Sequence, residues 1–174
     1  MKKKLLLATA CVMAASLLWL GAGGGPGWTD RNLGFGQKVA GGWLMVADVG
    51  APVEIMVNLA ADGGAMFNGT LRPAGPDNTG GWMGTRYNTT SHGTWTRTGH
   101  NTFEVVTLLF IQDNDGNTVL YEKVMMELAL KAGGTKLEGS GLIHLIEKGN
   151  DPLDSASPVL FPIPVASISG RLIR

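Results

Sequence analysis

The stretch from Thr94 to Leu130 limits the folds open to this chain more than any other. It reads TWTRTG, then TFEVVTLLFIQ, the turn DNDGN, and TVLYEKVMMELAL. Thr102, Phe103, Val105, Val106, Thr107, Phe110 and Ile111 are β-branched or aromatic, the types that suit a pleated, half-buried surface. Asp113 to Asn117 supply the Asn, Asp and Gly chemistry of a short reversal that tolerates positive φ. MMELALK taken alone has good helix propensity. The turns on either side of it, DNDGN and AGGT, nevertheless sit at hairpin spacing and predict a strand. The result is three consecutive antiparallel strands, the middle of a meander.

With a period of two, Val124, Met126, Leu128 and Leu130 share one face, which is expected to point inward. Lys123, Met125, Glu127, Ala129 and Lys131 share the other. The preceding strand is apolar on both sides, with Val105, Thr107, Leu109 and Ile111 against Glu104, Val106, Leu108 and Phe110. Its second face therefore calls for cover by a subunit contact, a loop or a membrane surface. Homo-oligomerisation is one expected form of that cover.

Elsewhere the same alternation recurs in short runs between turn residues. Val53, Ile55, Val57 and Leu59 alternate with Glu54, Met56, Asn58 and Ala60, the pattern of a sheet with one buried face. Strands are expected at roughly 43–49, 53–60, 65–71, 93–98, 102–112, 118–130, 136–148 and 165–173. Gly139 and Gly141 allow a bend or bulge, and Pro162 and Pro164 predict an irregular or edge position at the start of the last strand. The 26 glycines also favour short strands and turns over long helices. The expected class is all-β, an eight-stranded antiparallel up-and-down barrel large enough to hold one small ligand.

The amino end has a different character. MKKK, the apolar run LLLATACVMAASLLWL and the small-residue exit GAGGGPG have the layout of a secretory signal, with cleavage expected between Ala22 and Gly25. An uncleaved anchor is the alternative reading, since the apolar run is only slightly short of a membrane span. The expected division is a signal at 1–25, a lead-in at 26–42 with one helical turn, and a barrel at 43–174. The mature protein would be secreted or periplasmic, with no stable membrane span. Cys11, the single cysteine, falls in the signal, which leaves no disulfide or thiol chemistry to the barrel. Removing Lys2, Lys3 and Lys4 from the 14 basic residues leaves 11 against 14 acidic ones. A net charge near −3 on that count gives no electrostatic footprint for nucleic acid.

Residues 72–92 hold no periodicity and many Pro, Gly, Asn and Thr residues. A connection of that length in a compact domain is usually functional or disordered, and Trp82 and Tyr87 are expected to serve as a lid over one end of the barrel.

Two features carry a resemblance. Gly41-Gly42-Trp43 opening the first strand, with Arg171 near the end of the last, resembles the lipocalin and wider calycin pattern. That pattern implies a tryptophan at the closed end of the barrel beneath an arginine. His92-Gly-Thr-Trp-Thr-Arg-Thr-Gly-His-Asn-Thr-Phe103 is similar to the HGxWxRTGxxTF segment of small bacterial lipocalin-like proteins of unsettled function. A further resemblance is to barrel cyclases of the allene oxide cyclase type, which imply an apolar cup that folds a flexible substrate. The chain departs from a standard lipocalin in lacking disulfide cysteines and an obvious helix before its last strand.

Few residues carry recognisable chemistry. His92, His100 and His144 show no metal-ligand spacing, and no G-x-S-x-G elbow accompanies the serines. No metal or cofactor is expected. His144 shares a face with Leu142 and Ile146 and is expected to point into the barrel as a core histidine or, alternatively, a catalytic one. Glu104 and Glu127 are the candidate acid and base if either faces inward, where burial would raise a carboxyl pKa; the plain expectation is that both face solvent. Trp95 and Arg97 alternate on one face and are candidates for a cation–π pair.

The leading functional expectation is uptake of a small apolar molecule by a cup lined by Val124, Met126, Leu128 and Leu130 and covered by Trp82 and Tyr87. The alternatives are a cofactor-independent cyclase or isomerase, and a filled barrel with a structural or oligomerising role. The export reading has a direct test. Protein secreted by an expressing cell should begin after Ala22 to Gly25 on amino-terminal sequencing, and material still starting at Met1 would establish the anchor instead.

Overall fold

The computed structural model describes residues 30–68, 87–113 and 115–173. The expected signal, its cleavage point and most of the 72–92 connection lie outside them. Two compact units divide the chain, Met1–Gly34 and Phe35–Arg174. Of the first, only Asp30–Gly34 is described, the opening of helix α1 (Asp30–Val39). The second contains the rest of α1 and the sheet.

Nine strands occur among the described residues: β1 (Gly41–Asp48), β2 (Pro52–Leu59), β3 (Gly64–Asn68), β4 (Tyr87–Asn88), β5 (Ser91–Arg97), β6 (Thr102–Gln112), β7 (Thr118–Lys131), β8 (Lys136–Glu147) and β9 (Val159–Leu172). All pair antiparallel. Neighbours run β1, β2, β3, β5, β6, β7, β8, β9, and β9 returns to β1, with Trp43 opposite Leu172 and Asp48 opposite Ser167. Eight strands thus close an up-and-down barrel, as the alternation predicts. The two-residue β4 continues the β5 edge of β6, pairing with Ile111 and Gln112 beyond the end of β5.

The segment MMELALK is strand throughout. Its turn into β8 is made by Ala132, Gly133 and Gly134, all at positive φ (47°, 66° and 94°). Inward and outward residues alternate as expected on β2 and β7: Ile55, Val57 and Leu59 are buried, as are Val124, Met126, Leu128 and Leu130. The β8–β9 ladder shifts register between Gly139 and Gly141 and again at Leu145/Ile146. Close approach of β7 explains the first glycine, because a Cβ on Gly139 would overlap the Glu127 carbonyl.

The last strand begins earlier than expected, at Val159, and runs through Pro162 and Pro164. Both prolines pair with β8, whereas β1 reaches β9 only from Ser167 onward. Among the described residues, 159–166 therefore has a strand partner on the β8 side alone. A proline's missing N–H is tolerated in a strand where it faces away from the ladder, here the one with β8.

A larger difference is α1, ten residues long where one turn is expected. Gly34 and Gly36 lower its intrinsic propensity, so the reason for the helix is tertiary. Phe35 and Val39, four residues apart, are both buried in the barrel unit. A side chain at Gly36 would overlap the Ala61 carbonyl in the β2–β3 turn, and glycine lets the helix lie directly on that turn. Phe35→Ala should lower unfolding free energy in urea by about 3 kcal/mol, whereas Leu153→Ala, at a side chain 73% exposed, should change it by less than about 0.5 kcal/mol.

Candidate functional site

The two ends of the barrel are built differently. At one end lie the start of β1, the end of β9 and the turns β2–β3, β5–β6 and β7–β8. Here Phe35, Trp95 and Phe103 meet edge to face, with ring centroids 5.8–6.0 Å apart. The Arg97 guanidinium lies 4.8 Å over the Phe35 ring and donates to the carbonyls of Gly99 and His100. Trp95 Nε1 donates to the Ala60 carbonyl at 2.8 Å, and Trp43 Nε1 to the Val39 carbonyl of α1 at 2.9 Å. Every indole N–H of this plug is therefore satisfied, and the plug ties α1 and two turns to the barrel wall.

Trp43 thus lies at the closed end and Arg171 reaches the same end, but the guanidinium does not lie over the indole. Arg171 pairs with Leu44, the outward neighbour of Trp43, and is exposed. Trp43 itself pairs with Leu172, so a one-residue offset puts indole and guanidinium on opposite faces of the sheet. Arg97 over Phe35 supplies the cation–π contact at this end.

Toward the other end the inner wall changes composition. Val105, Leu109, Ile111, Val124, Ile143 and Leu145 are aliphatic and buried. Three polar residues interrupt them: Ser91, Thr107 and Glu122, with relative exposures of 0%, 1% and 0%. Thr107 is directly opposite Gly93 on β5 and Val124 on β7. Ser91 and Glu122 each lie two residues from those partners, so both are diagonal neighbours of Thr107. Neither Ser91 Oγ nor Thr107 Oγ1 has a hydrogen-bond partner. A buried hydroxyl left in that state costs about 1–3 kcal/mol.

The four predicted cup residues, Val124, Met126, Leu128 and Leu130, all lie on the inner wall of β7. Leu128 and Leu130 lie toward the plugged end, while Val124 is at the level of Thr107. The acidic candidates lie elsewhere. Glu104 and Glu127 are opposite each other on the outer wall, the first partly buried and the second exposed, so neither reaches the interior. His144 also departs from expectation: it is outward, partly buried and directly across from Lys123. Apolar residues on both faces of LIHLI make the period-two reading ambiguous, and pairing with β7 decides it. His92 and His100 are exposed. Trp82 lies outside the described residues, and Tyr87 is described only by its backbone, in β4.

Glu122 is the interior carboxyl that the sequence reading passes over. The signal was present, because the inward parity of Val124 and Met126 extends back two residues to Glu122. Among the described residues no group of three His, Cys, Asp or Glu side chains could hold a metal ion.

Comparison with models of known protein families, with curated proteins and with solved structures gives no match. The class that the structure defines is therefore architectural: an eight-stranded up-and-down β-barrel, plugged at one end and carrying a polar patch on a mainly apolar inner wall.

Partial burial, and secondly the Lys123 ammonium, hold the His144 imidazole below its ordinary pKa. The unfolded chain, with imidazole near ~6.5, then binds more protons than the folded one just below that pH. This histidine therefore removes stability as pH falls from about 6.5 toward the folded value, and the loss is complete below both. In an NMR titration, Lys123→Gln should move the His144 midpoint upward yet leave it below ~6.5, because burial remains.

Proposed function

We propose that this protein is an exported, lipocalin-like barrel that takes up a small apolar molecule. The observation that carries the reading is the asymmetry of the interior. Phe35, Trp43, Trp95 and Phe103 fill one end, while the wall beyond them is mainly aliphatic, with Phe67 opposite Ser91, and carries a localised polar patch. Ligand sites commonly combine those two surfaces, apolar area for affinity and a few polar groups for orientation. Fold alone would not justify the step, since barrels of this architecture serve many roles. Export and the lid of residues 72–92 enter as parts of the same proposal, supported by the signal-like amino end and by Trp82 and Tyr87 in an aperiodic connection.

One observation favours a second reading, cofactor-independent proton transfer on a bound molecule. Glu122 is a carboxyl wholly out of water on the inner wall, and enzymes place general acids and bases in such positions. It replaces Glu104, Glu127 and His144 as the residue to change when an activity is sought.

Titration of the protein with lipids, terpenoids and aromatic compounds, followed by tryptophan fluorescence, tests the main reading. Trp43 and Trp95 are the buried reporters. A drug-sized apolar compound should bind, and Met126→Lys, which places a charge on the inner wall, should weaken it by more than tenfold; circular dichroism establishes that the variant is folded. Val124→Met, which adds volume without charge, should weaken binding more mildly. If no compound binds the wild type more tightly than about millimolar, near −4 kcal/mol, the barrel is a filled structural element.

A further inference from the structure

We infer that the outer wall of β6, β7 and β8 pairs with the same wall of a second copy of this chain, in a two-fold contact centred on Met125. Cross-strand register sorts the outward side chains there into rows. Val106, Met125 and Leu142 are directly opposite one another in the middle row, and each is partly exposed. Toward the closed end the next row holds Glu104, Glu127 and Ser140; on the other side it holds Leu108, Lys123 and His144. An apolar row is thus flanked by two carboxylates on one side and by an ammonium on the other.

The acidic row has two properties that suit an incoming cation. Glu104 and Glu127 are directly opposite each other, where like charges repel. A hollow of about 380 Å3 opens beside them, lined by Glu104, Met125, Glu127, Ser140, Gly141 and Leu142. Its floor is deep because Gly141 has no side chain; a Cβ there would come within 2.6 Å of the Met125 carbonyl oxygen. Carboxylates at the rim and apolar groups in the floor match a charged head on an aliphatic stem. Lys123 is such a side chain. Its own cross-strand neighbours are Leu108 and His144, and Glu127 of the same chain is about 13 Å further along the strand, beyond Met125.

Two-fold symmetry turns that offset into a contact. An axis in the contact plane, running along the Val106, Met125 and Leu142 row, sets this row against itself and exchanges the rows on either side. Lys123 of each copy then faces Glu127 of the other, with Glu104 alongside, and His144 faces Ser140. One patch yields two reciprocal ion pairs, the self-complementarity of an isologous interface. An axis along β7 would set Glu127 against Glu127 instead, so charge selects the first orientation. Pro164 and Pro162 extend the middle and Lys123 rows onto β9. Three rows on four strands cover about 400 Å2 in plane at ordinary strand spacing. About 800 Å2 for both copies is below the ~1,600 Å2 of a standard interface, so the dimer is weak and reversible. The contact leaves the barrel interior untouched, and it is independent of the ligand-binding reading.

Sedimentation equilibrium of the full chain at low ionic strength tests the contact. The wild type should pass from monomer to dimer between about one and several hundred micromolar. Lys123→Glu and Glu127→Lys alter side chains on the outer wall, so both variants should fold, as circular dichroism checks. Each alone sets like charges face to face in both ion pairs and should weaken the dimer about tenfold or more. Mixed in equal amounts, the two variants should form a heterodimer at least as tight as the wild-type dimer. The new glutamate at position 123 then faces the new lysine at position 127, and the native Glu127 and Lys123 face each other. A wild type that stays monomeric throughout overturns the inference. So does association that neither variant alters, as contact through the apolar amino end would give, and so does a mixture that fails to recover the dimer.

Discussion

Closure of the sheet on itself is the constraint from which the rest of the structure follows. Once β9 pairs with β1, the inward side chains of the eight strands face one common interior. That volume must be filled by the chain or by something else, since unfilled apolar space forfeits dispersion contacts. At the α1 end the chain fills it itself, with three rings meeting edge to face and an arginine above them. The polar edges of Trp43 and Trp95 find backbone carbonyls in α1 and the β2–β3 turn. That arrangement lets large rings be buried there without leaving a donor unpaired.

Much of this was legible in the chain because strands have a period of two. The meander from Thr102 to Leu130, its two turns and the inward set on β7 could be read directly, and the ring of eight strands followed from turn spacing. Three particulars were not legible, each for a physical reason. The helix α1 carries two glycines in its middle and has no local reason to be long, so only the contacts of Phe35 and Val39 reveal it. The side of the sheet taken by His144 depends on cross-strand register, which LIHLI does not encode, because its apolar residues fall on both faces. Arg171 and Trp43 do arrive at the same end, yet a single residue of offset separates them onto opposite faces. Glu122 is a different case. Its inward position was implied by the parity of its own strand and was obscured by its place beside Lys123 in a run that reads as polar.

The location of the polar patch matters as much as its composition. Ser91, Thr107 and Glu122 lie on β5, β6 and β7, and two of those strands also carry the plug: Trp95 is four residues along β5 from Ser91, and Phe103 four residues along β6 from Thr107. Strands pinned at one end by packed aromatics and along both edges by ladder hydrogen bonds have little freedom to reposition a side chain. A site built on them is pre-organised.

That arrangement also explains how a stability cost can persist inside a well-packed domain. Two unpartnered hydroxyls on one patch of wall are a local penalty in a protein whose net stability is only a small difference between large terms. Replacing Thr107 by valine would remove part of that penalty with almost no change in shape, so packing alone gives no reason for a threonine there. The rigid plug on the same strands offsets the penalty, because burial of Phe35, Trp43, Trp95 and Phe103 stabilises the strands that carry the patch. The closed end therefore does more than stop one mouth of the barrel: it makes an under-satisfied inner wall compatible with a folded protein.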